Sequence, residues 1–298
     1  MDAVNERRRI EQETTFTFRN APLRPRARRA LLDAPGTVHL QVDEGELILA
    51  QERGQQRLYW GFTGIEAMRR DFPEMWQAAK EDLTPESCDY ISMDLAGLPS
   101  RDWLEPLLQD ADFAMFAEWM EMAHPALDAD TVPEIPDGLT MRKGEASDVD
   151  RLREIWTESH GDYVDGPRTW DWILDEAAWV GILENADKDI VAFAINGEVE
   201  RNEGTVLAAA VAPEAFGNGY GQVILGAATY QLATKDAVKA NIRVRPDIRN
   251  ALRTCSDLGY RHVVAGVEYR RSLDEALIAE RREERRRTGV KARYGGWR

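Results

Sequence analysis

The chain has 298 residues, 53 acidic against 38 basic, a formal charge of −15 and a pI near 4.9, which together argue against a general nucleic-acid or membrane-surface binder. The charge is uneven: residues 1–36 hold eight arginines against five acids and residues 281–298 eight basic residues against two, leaving −24 for residues 37–280. Two cysteines (Cys88, Cys255) and four histidines (His39, His124, His160, His262) give no disulfide framework and no zinc-ligand spacing, so no metal is expected. The amino end, MDAVNERRRIEQETTF, has charge where a signal peptide needs an apolar stretch, and no run approaches the roughly 18 apolar residues of a membrane span. The expectation is a cytoplasmic protein of about two domains with no membrane partner.

Residues 1–36 read as a basic N-terminal arm, because prolines and arginines interrupt any long period. Three short apolar runs follow, VHLQV, ELILAQE and QRLYWGF, separated by the turn chemistry of DEG and ERG, which predicts an antiparallel meander. The next segment repeats Ile65, Met68, Phe72, Met75, Trp76 and Ala79 at spacings of three and four, predicting a helix in which Pro73 could introduce a kink. A strand YISMDL, a helix SRDWLEPLLQDA capped by Ser100 and a strand FAMFAEWMEM complete residues 37–123. Residues 124–137 carry three prolines and no apolar period, and read as a linker.

A second series fills residues 138–273. It comprises a strand LTMRK, a helix from Ser147 as cap, a Trp-rich helical piece RTWDWILDEAAW, and strands VGILE, DIVAFAIN and TVLAAAVA. A glycine segment then leads into a helix GQVILGAATYQLATK, a strand KANIRVR, a helix IRNALRTCSDLG and a strand VVAGVEYRR. Residues 274–298 read as a charged tail that could extend as an exposed helix. The two series end alike, which reflects either a weak internal duplication or two unrelated α/β domains built from common elements.

The segment AAAVAPEAFGNGYGQVILGAA carries the chemistry. Gly217, Gly219 and Gly221 lie between a strand and a helix, so the backbone can turn successive N–H groups toward an anion at the positive end of the helix dipole. The spacing is GxGxG, late in the chain, which fits neither a Rossmann fingerprint nor a P-loop.

VAPEAFGNGYG resembles the acyl-CoA signature of the GCN5-related N-acetyltransferase superfamily, and NALRTCSDLGYRHV resembles its next motif, with Gly259 and Tyr260 as the Gly-aromatic pair. The resemblance implies a mixed α/β acyl-CoA N-acyltransferase-like fold in two tandem copies, each a mostly antiparallel sheet flanked by helices, the first copy degenerate. It implies acetyl-CoA as co-substrate, with Ala209, Ala210 and Val211 pairing through their backbone with the pantetheine arm. The N–H groups of Gly217, Asn218, Gly219, Tyr220, Gly221 and Gln222 would then hold the pyrophosphate. Three positions depart from the pattern: Phe216 replaces Arg or Gln, Ile248 replaces Asn, and Cys255 replaces the tyrosine that in many members protonates the departing thiolate.

The reaction implied is transfer of acetyl to a small amine by direct attack in a ternary complex. Cys255 could supply the thiolate proton or be a small core residue, and Glu203, just before the alanine-rich strand, is the nearest candidate base. Trp156, Asp162, Tyr163 and Trp170 lie where the family builds its acceptor pocket and would suit a cation through ring faces and carboxylates. The same tryptophans at helical spacing could simply pack a core. The alternatives are a CoA-binding sensor or scaffold without turnover, or an accessory factor whose arginine-rich ends contact RNA; a nucleic-acid partner is not expected, and the sequence leaves the oligomeric state open.

Overall fold

The computed structural model describes residues 16, 18–23, 25–83, 88–97, 102–130, 132–161, 166–248 and 250–294. The chain divides into two compact units, residues 1–115 with 268–298, and residues 116–267. Two strands change units: β6 (Ala114–His124) belongs to the second unit from Phe116, and β12 (Arg261–Ser272) to the first from Glu268.

The first unit contains β1 (Phe18–Arg19), α1 (Pro25–Asp33), β2 (Val38–Val42), β3 (Gly45–Glu52), β4 (Gln55–Phe62), α2 (Ile65–Glu81), β5 (Tyr90–Ala96), α3 (Glu105–Asp110) and, after β12, α8 (Glu275–Tyr294). The predicted meander forms in the order β2-β3-β4, with β5 parallel to β4. Between β3 and β4 the turn is two residues long, Arg53 and Gly54, both at positive φ (54° and 71°), the primed geometry that suits strand twist. Of the spacing predicted for α2, Met68, Phe72, Met75, Trp76 and Ala79 are buried, and Ile65 in the first turn is exposed. The helix runs unbroken through Pro73. Residues 1–36 were expected to be an arm, yet the described part holds β1 and α1. Thr37 Oγ1 donates to Leu31 O at 2.7 Å and Arg28 pairs with Glu46 at 2.5 Å, tying α1 to the strands. The predicted cap Ser100 lies outside the described residues.

The second unit contains the rest of β6, β7 (Thr140–Lys143), α4 (Val149–His160), α5 (Pro167–Asp175), β8 (Trp179–Glu184), β9 (Ile190–Asn196), β10 (Glu203–Val211), α6 (Tyr220–Ala233), β11 (Lys239–Val244) and α7 (Ala251–Asp257). Its strands run in the order β6-β11-β10-β9-β8-β7. Every residue of β9 is buried, and α4 and α6 pack against β9 and β10. Asn196, fully buried, holds α6 to the sheet by donating to Ala228 O at 2.8 Å. Ser147 was expected to cap α4, but the helix is entered through a turn at Ala146–Asp148. There the Asp148 carboxylate accepts from the Glu145 N–H at 2.7 Å, reciprocated by Glu145, and is itself gripped by Arg142 at 2.7 and 2.8 Å. A carboxylate fixed by a guanidinium outcompetes the neighbouring hydroxyl.

Both units thus repeat a meander, a helix, a parallel strand and a short helix in one order, the tandem mixed α/β architecture expected.

Candidate functional site

The site is built on β10. Its burial alternates, with Gly204, Val206, Ala208 and Ala210 buried and Leu207, Ala209 and Val211 half-buried. On one edge it pairs antiparallel with β9 as far as Val211↔Ala192, with a bulge between Val206 and Ala208. On the other it pairs parallel with β11 only through Val206↔Ile242. Beyond that point β11 continues on β6, down to Val244↔Met120. A bulge bends and twists its strand, so the two parallel neighbours part where the bulge falls. Among the described residues no strand covers the Leu207–Val211 edge that faces away from β9.

This open edge runs directly into the glycine segment. Ala212 N–H still donates to Val191 O at 2.9 Å, a turn at Pro213–Ala215 follows, and Asn218 Nδ2 donates to Ala215 O at 3.2 Å. Arg151 on α4 fixes the turn through Glu214 at 2.6 Å. Gly217 and Gly219 adopt φ of +88° and +80°, and a Cβ at either would meet nothing within 4 Å, so the left-handed turn faces open space. Gly219 caps α6 without any side-chain hydrogen bond. Among the described residues the N–H groups of Gly217, Asn218, Gly219, Tyr220 and Gly221 have no acceptor, whereas that of Gln222 is committed to Gly219 O at 3.0 Å. Five unpaired donors on a left-handed turn at the start of a four-turn helix form an anion nest. Gly221 differs from the other two. Its φ is ordinary, and a Cβ there would touch Val211 Cγ2 at 3.6 Å and lie 3.9 Å from Thr254 Oγ1. Thr254 on α7 therefore stands beside the cradle, a position that no residue-type signal in the sequence marks.

Two positions singled out in the sequence gain a structural setting. Phe216 is 56 % exposed next to the nest. Gly259, at φ +93°, holds its α-carbon against His124, whose Nε2 is 2.7 Å from where a Cβ would stand.

Neither residue of the predicted catalytic pair stands on the open edge of β10. Glu203 sits on the closed part of the β10–β11 ladder, three residues and roughly 10 Å of strand before the point of parting. Its exposed carboxylate lies 4.0 Å from Lys239 Nζ. Cys255 is 2 % exposed within the second unit's core, and burial pushes its thiol up to about 11. A thiol so hard to ionise in an apolar setting has the surroundings of a core residue, and Glu203 has those of a paired, solvent-facing strand position. The neighbouring Tyr260 is likewise buried, its hydroxyl engaged with Thr229 Oγ1 at 2.8 Å and pushed up to about 12, chiefly by burial.

The predicted acceptor residues also move. Trp170 is 2 % exposed and packs edge-on against Phe193 at 6.0 Å. Trp156 is 9 % exposed, with one neighbour in Trp170 at 6.1 Å and another in the His160 ring at 3.8 Å. Their ring faces are taken up by protein, and their only polar atoms are N–H donors, which an ammonium ion cannot use. Both belong to the core. Asp162 and Tyr163 lie outside the described residues. Among the described residues no cluster of His, Cys, Asp and Glu could hold a metal, and no helix is long and apolar enough to cross a membrane.

A strand that parts from its parallel neighbour at a bulge and runs through a glycine turn into a helix defines the GCN5-related N-acetyltransferase fold, here in tandem. Solved structures agree. The chain is similar to a GCN5-related N-acetyltransferase from Sphaerobacter thermophilus, with 16% identity over 83% of this chain and 85% of that one and a TM-score of 0.52. It is similar to another from Kribbella flavida (15% identity, 82% and 91% covered, TM-score 0.52) and to a tandem GNAT protein from the clavulanic acid biosynthesis pathway (13%, 80% and 84%, 0.52). At such identities the likeness is one of fold. No protein-family model and no curated protein matches the chain.

Proposed function

We propose that the second unit binds acetyl-CoA and transfers its acetyl group to a small amine by direct attack in a ternary complex. The observation that carries this reading is the continuity of the open Leu207–Val211 edge with the five unpaired N–H groups of Gly217–Gly221. A ligand that is an extended chain of amides ending in a diphosphate matches both parts. Backbone groups of Ala209–Val211 pair with the pantetheine amides, and the nest, with Thr254 beside it, takes the diphosphate. The thioester supplies an activated acyl group and a good leaving group.

The chain's own part is to bind and orient. The point of parting at Val206↔Ile242 fixes where the extended ligand must stop, and so where its acyl carbon presents itself. Holding two reactants in register can itself lower a barrier by about 7–11 kcal/mol. With Glu203 on the paired part of β10 and Cys255 buried, this reading gives proton transfer to solvent and to the amine itself.

That same displacement favours one other reading, a CoA-binding sensor or scaffold without turnover. Titration calorimetry with CoA, followed by release of free thiol from acetyl-CoA across a panel of small amines, separates the two. Binding with release supports the transferase, binding without release on any amine supports the sensor, and absence of binding refutes both.

A further inference from the structure

The first unit opens its sheet in the same way as the second, and there the opening is filled. Strand β4 pairs with β3 along its whole length, to Phe62↔Gly45, but with β5 only at Gln56↔Ile91 and Arg57↔Ser92. Leu58–Phe62, five residues like Leu207–Val211, lie beyond the point of parting. Into this gap runs β1, antiparallel to β4, with Phe18 opposite Phe62 and Arg19 opposite Gly61. Asn20 finishes the insertion. Its N–H donates to Trp60 O at 3.3 Å, its side-chain Oδ1 accepts from Trp60 N–H at 2.8 Å, and its Nδ2 donates to Leu58 O at 3.0 Å. On the far side its carbonyl accepts from Ala96 N–H, just at the end of β5, at 2.9 Å. Asn20 is fully buried, and Phe18 packs between Trp60 and Trp103, with ring centroids 5.3 and 5.2 Å away.

We infer that Phe18–Asn20 is a built-in occupant of the first unit's ligand crevice, standing where a pantetheine arm would lie, so that each chain takes a single acyl-CoA, in the second unit. Asn20 offers β4 one amide N–H and one amide oxygen from its side chain, the groups by which an amide ligand would pair with the strand. The rest of the crevice has changed to match. Only Thr63 and Gly64 join β4 to α2, where eight residues, Ala212–Gly219, join β10 to α6. Gly64 is extended (φ −176°), and the first turn of α2 carries Glu66, so neither a nest nor a favourable charge awaits a diphosphate. A closed gap also protects its own edge: Leu58 O, Trp60 N–H and Trp60 O would otherwise be unpaired backbone groups beside an apolar interior.

The stoichiometric half rests on the acyl-CoA reading above, and the occupancy half does not, so the test has two arms. In native hydrogen exchange of the full chain, the Trp60 and Ala96 amides should be protected at least 100-fold. Asn20→Ala should lower that protection at least 10-fold at both while leaving β9 and β10 amides unchanged. Exchange of Trp60 and Ala96 at free-peptide rates in the wild type overturns the inference. In CoA titrations the wild type should bind one equivalent and the Gly217→Val/Gly219→Val double variant none. A second equivalent in the wild type, or binding retained by the double variant, overturns single-site binding. No binding by the wild type would refute the acyl-CoA reading together with the stoichiometry, and the exchange arm would still decide the occupancy.

Discussion

Gly219→Ala perturbs the nest with little else. The residue holds φ +80° and ψ 3° as the cap of α6, and a new Cβ would meet nothing within 4 Å, so the substitution carries no steric clash. What remains is the left-handed backbone, which costs an L-residue roughly 1–2 kcal/mol. For a cooperative unit of the second unit's size, each kcal/mol lowers Tm by roughly 2–4 °C, so a fall of about 2–8 °C is expected in a ligand-free thermal melt. Binding should suffer more. If the turn relaxes to negative φ, at least one N–H leaves the diphosphate, and a charge-assisted hydrogen bond is worth about 1.5–3 kcal/mol, or roughly 10- to 150-fold in Kd. Gly221→Ala is the internal control, because its φ is ordinary, it lies inside the helix, and its Cβ would find van der Waals contact with Val211 at 3.6 Å. It should melt at or above the wild-type temperature, since alanine exceeds glycine by up to about 1 kcal/mol in a helix. A Gly219→Ala protein that melts and binds CoA like the wild type would refute both the left-handed turn and the nest.

Gly259→Ala combines a φ of +93° with a Cβ only 2.7 Å from His124 Nε2, so it should destabilise more than Gly219→Ala, by about 2–4 kcal/mol in urea unfolding; equal destabilisation would remove the His124 contact as a constraint. Burial raises the Glu46 carboxyl, but hydrogen bonds from His39 and Arg28 outweigh it and hold it at about 2, below the ordinary 4.5. A depressed carboxyl stabilises above its unfolded value and loses that contribution as pH falls from 4.5 toward 2. Wild type should therefore lose up to ~3 kcal/mol over that window, and Glu46→Gln should be less stable at neutral pH with a flatter acid limb; parallel limbs would contradict the assignment. Cys255, with its thiol near 11 and 2 % exposed, should resist alkylation at pH 8 in the native protein, and Cys255→Ala should keep any acetyl-transfer activity while losing about 1–2 kcal/mol of stability. Loss of turnover with stability intact would restore a catalytic role.

The parts that a sequence can announce are those whose signal is local. The glycine turn, the period of α2 and the turn between β3 and β4 each follow from a few adjacent residues, although Gly221 keeps an ordinary φ and Ile65 is exposed. Chemistry assigned by distance along the chain fares otherwise. Glu203 opens the alanine-rich strand, and the register of β11 places it on the closed side of the parting, a fact decided by residues 239–242. Trp156 and Trp170 recur at helical spacing whether they pack a core or line a pocket, and only Phe193 on β9 settles which. Asn20 is harder still. A polar residue in an arginine-rich stretch becomes fully buried because Leu58 and Trp60 leave three backbone groups for it to satisfy.

Catalysis by positioning alone, on an open strand and a nest, makes a specific demand on the pH profile of the proposed transfer. Attack requires the neutral amine. If no side chain removes a proton in the rate-limiting step, log kcat/KM should rise with unit slope until the pKa of the amine in free solution, then level off, and the break should move when the amine is exchanged for one of different basicity. Glu46, held at about 2, and Cys255, pushed up to about 11, place no break in the neutral range. A break between pH 6 and 8 that stays fixed across amines would belong to the protein. It would mean that a titratable residue shares the crevice after all, and catalysis by positioning alone would have to be abandoned.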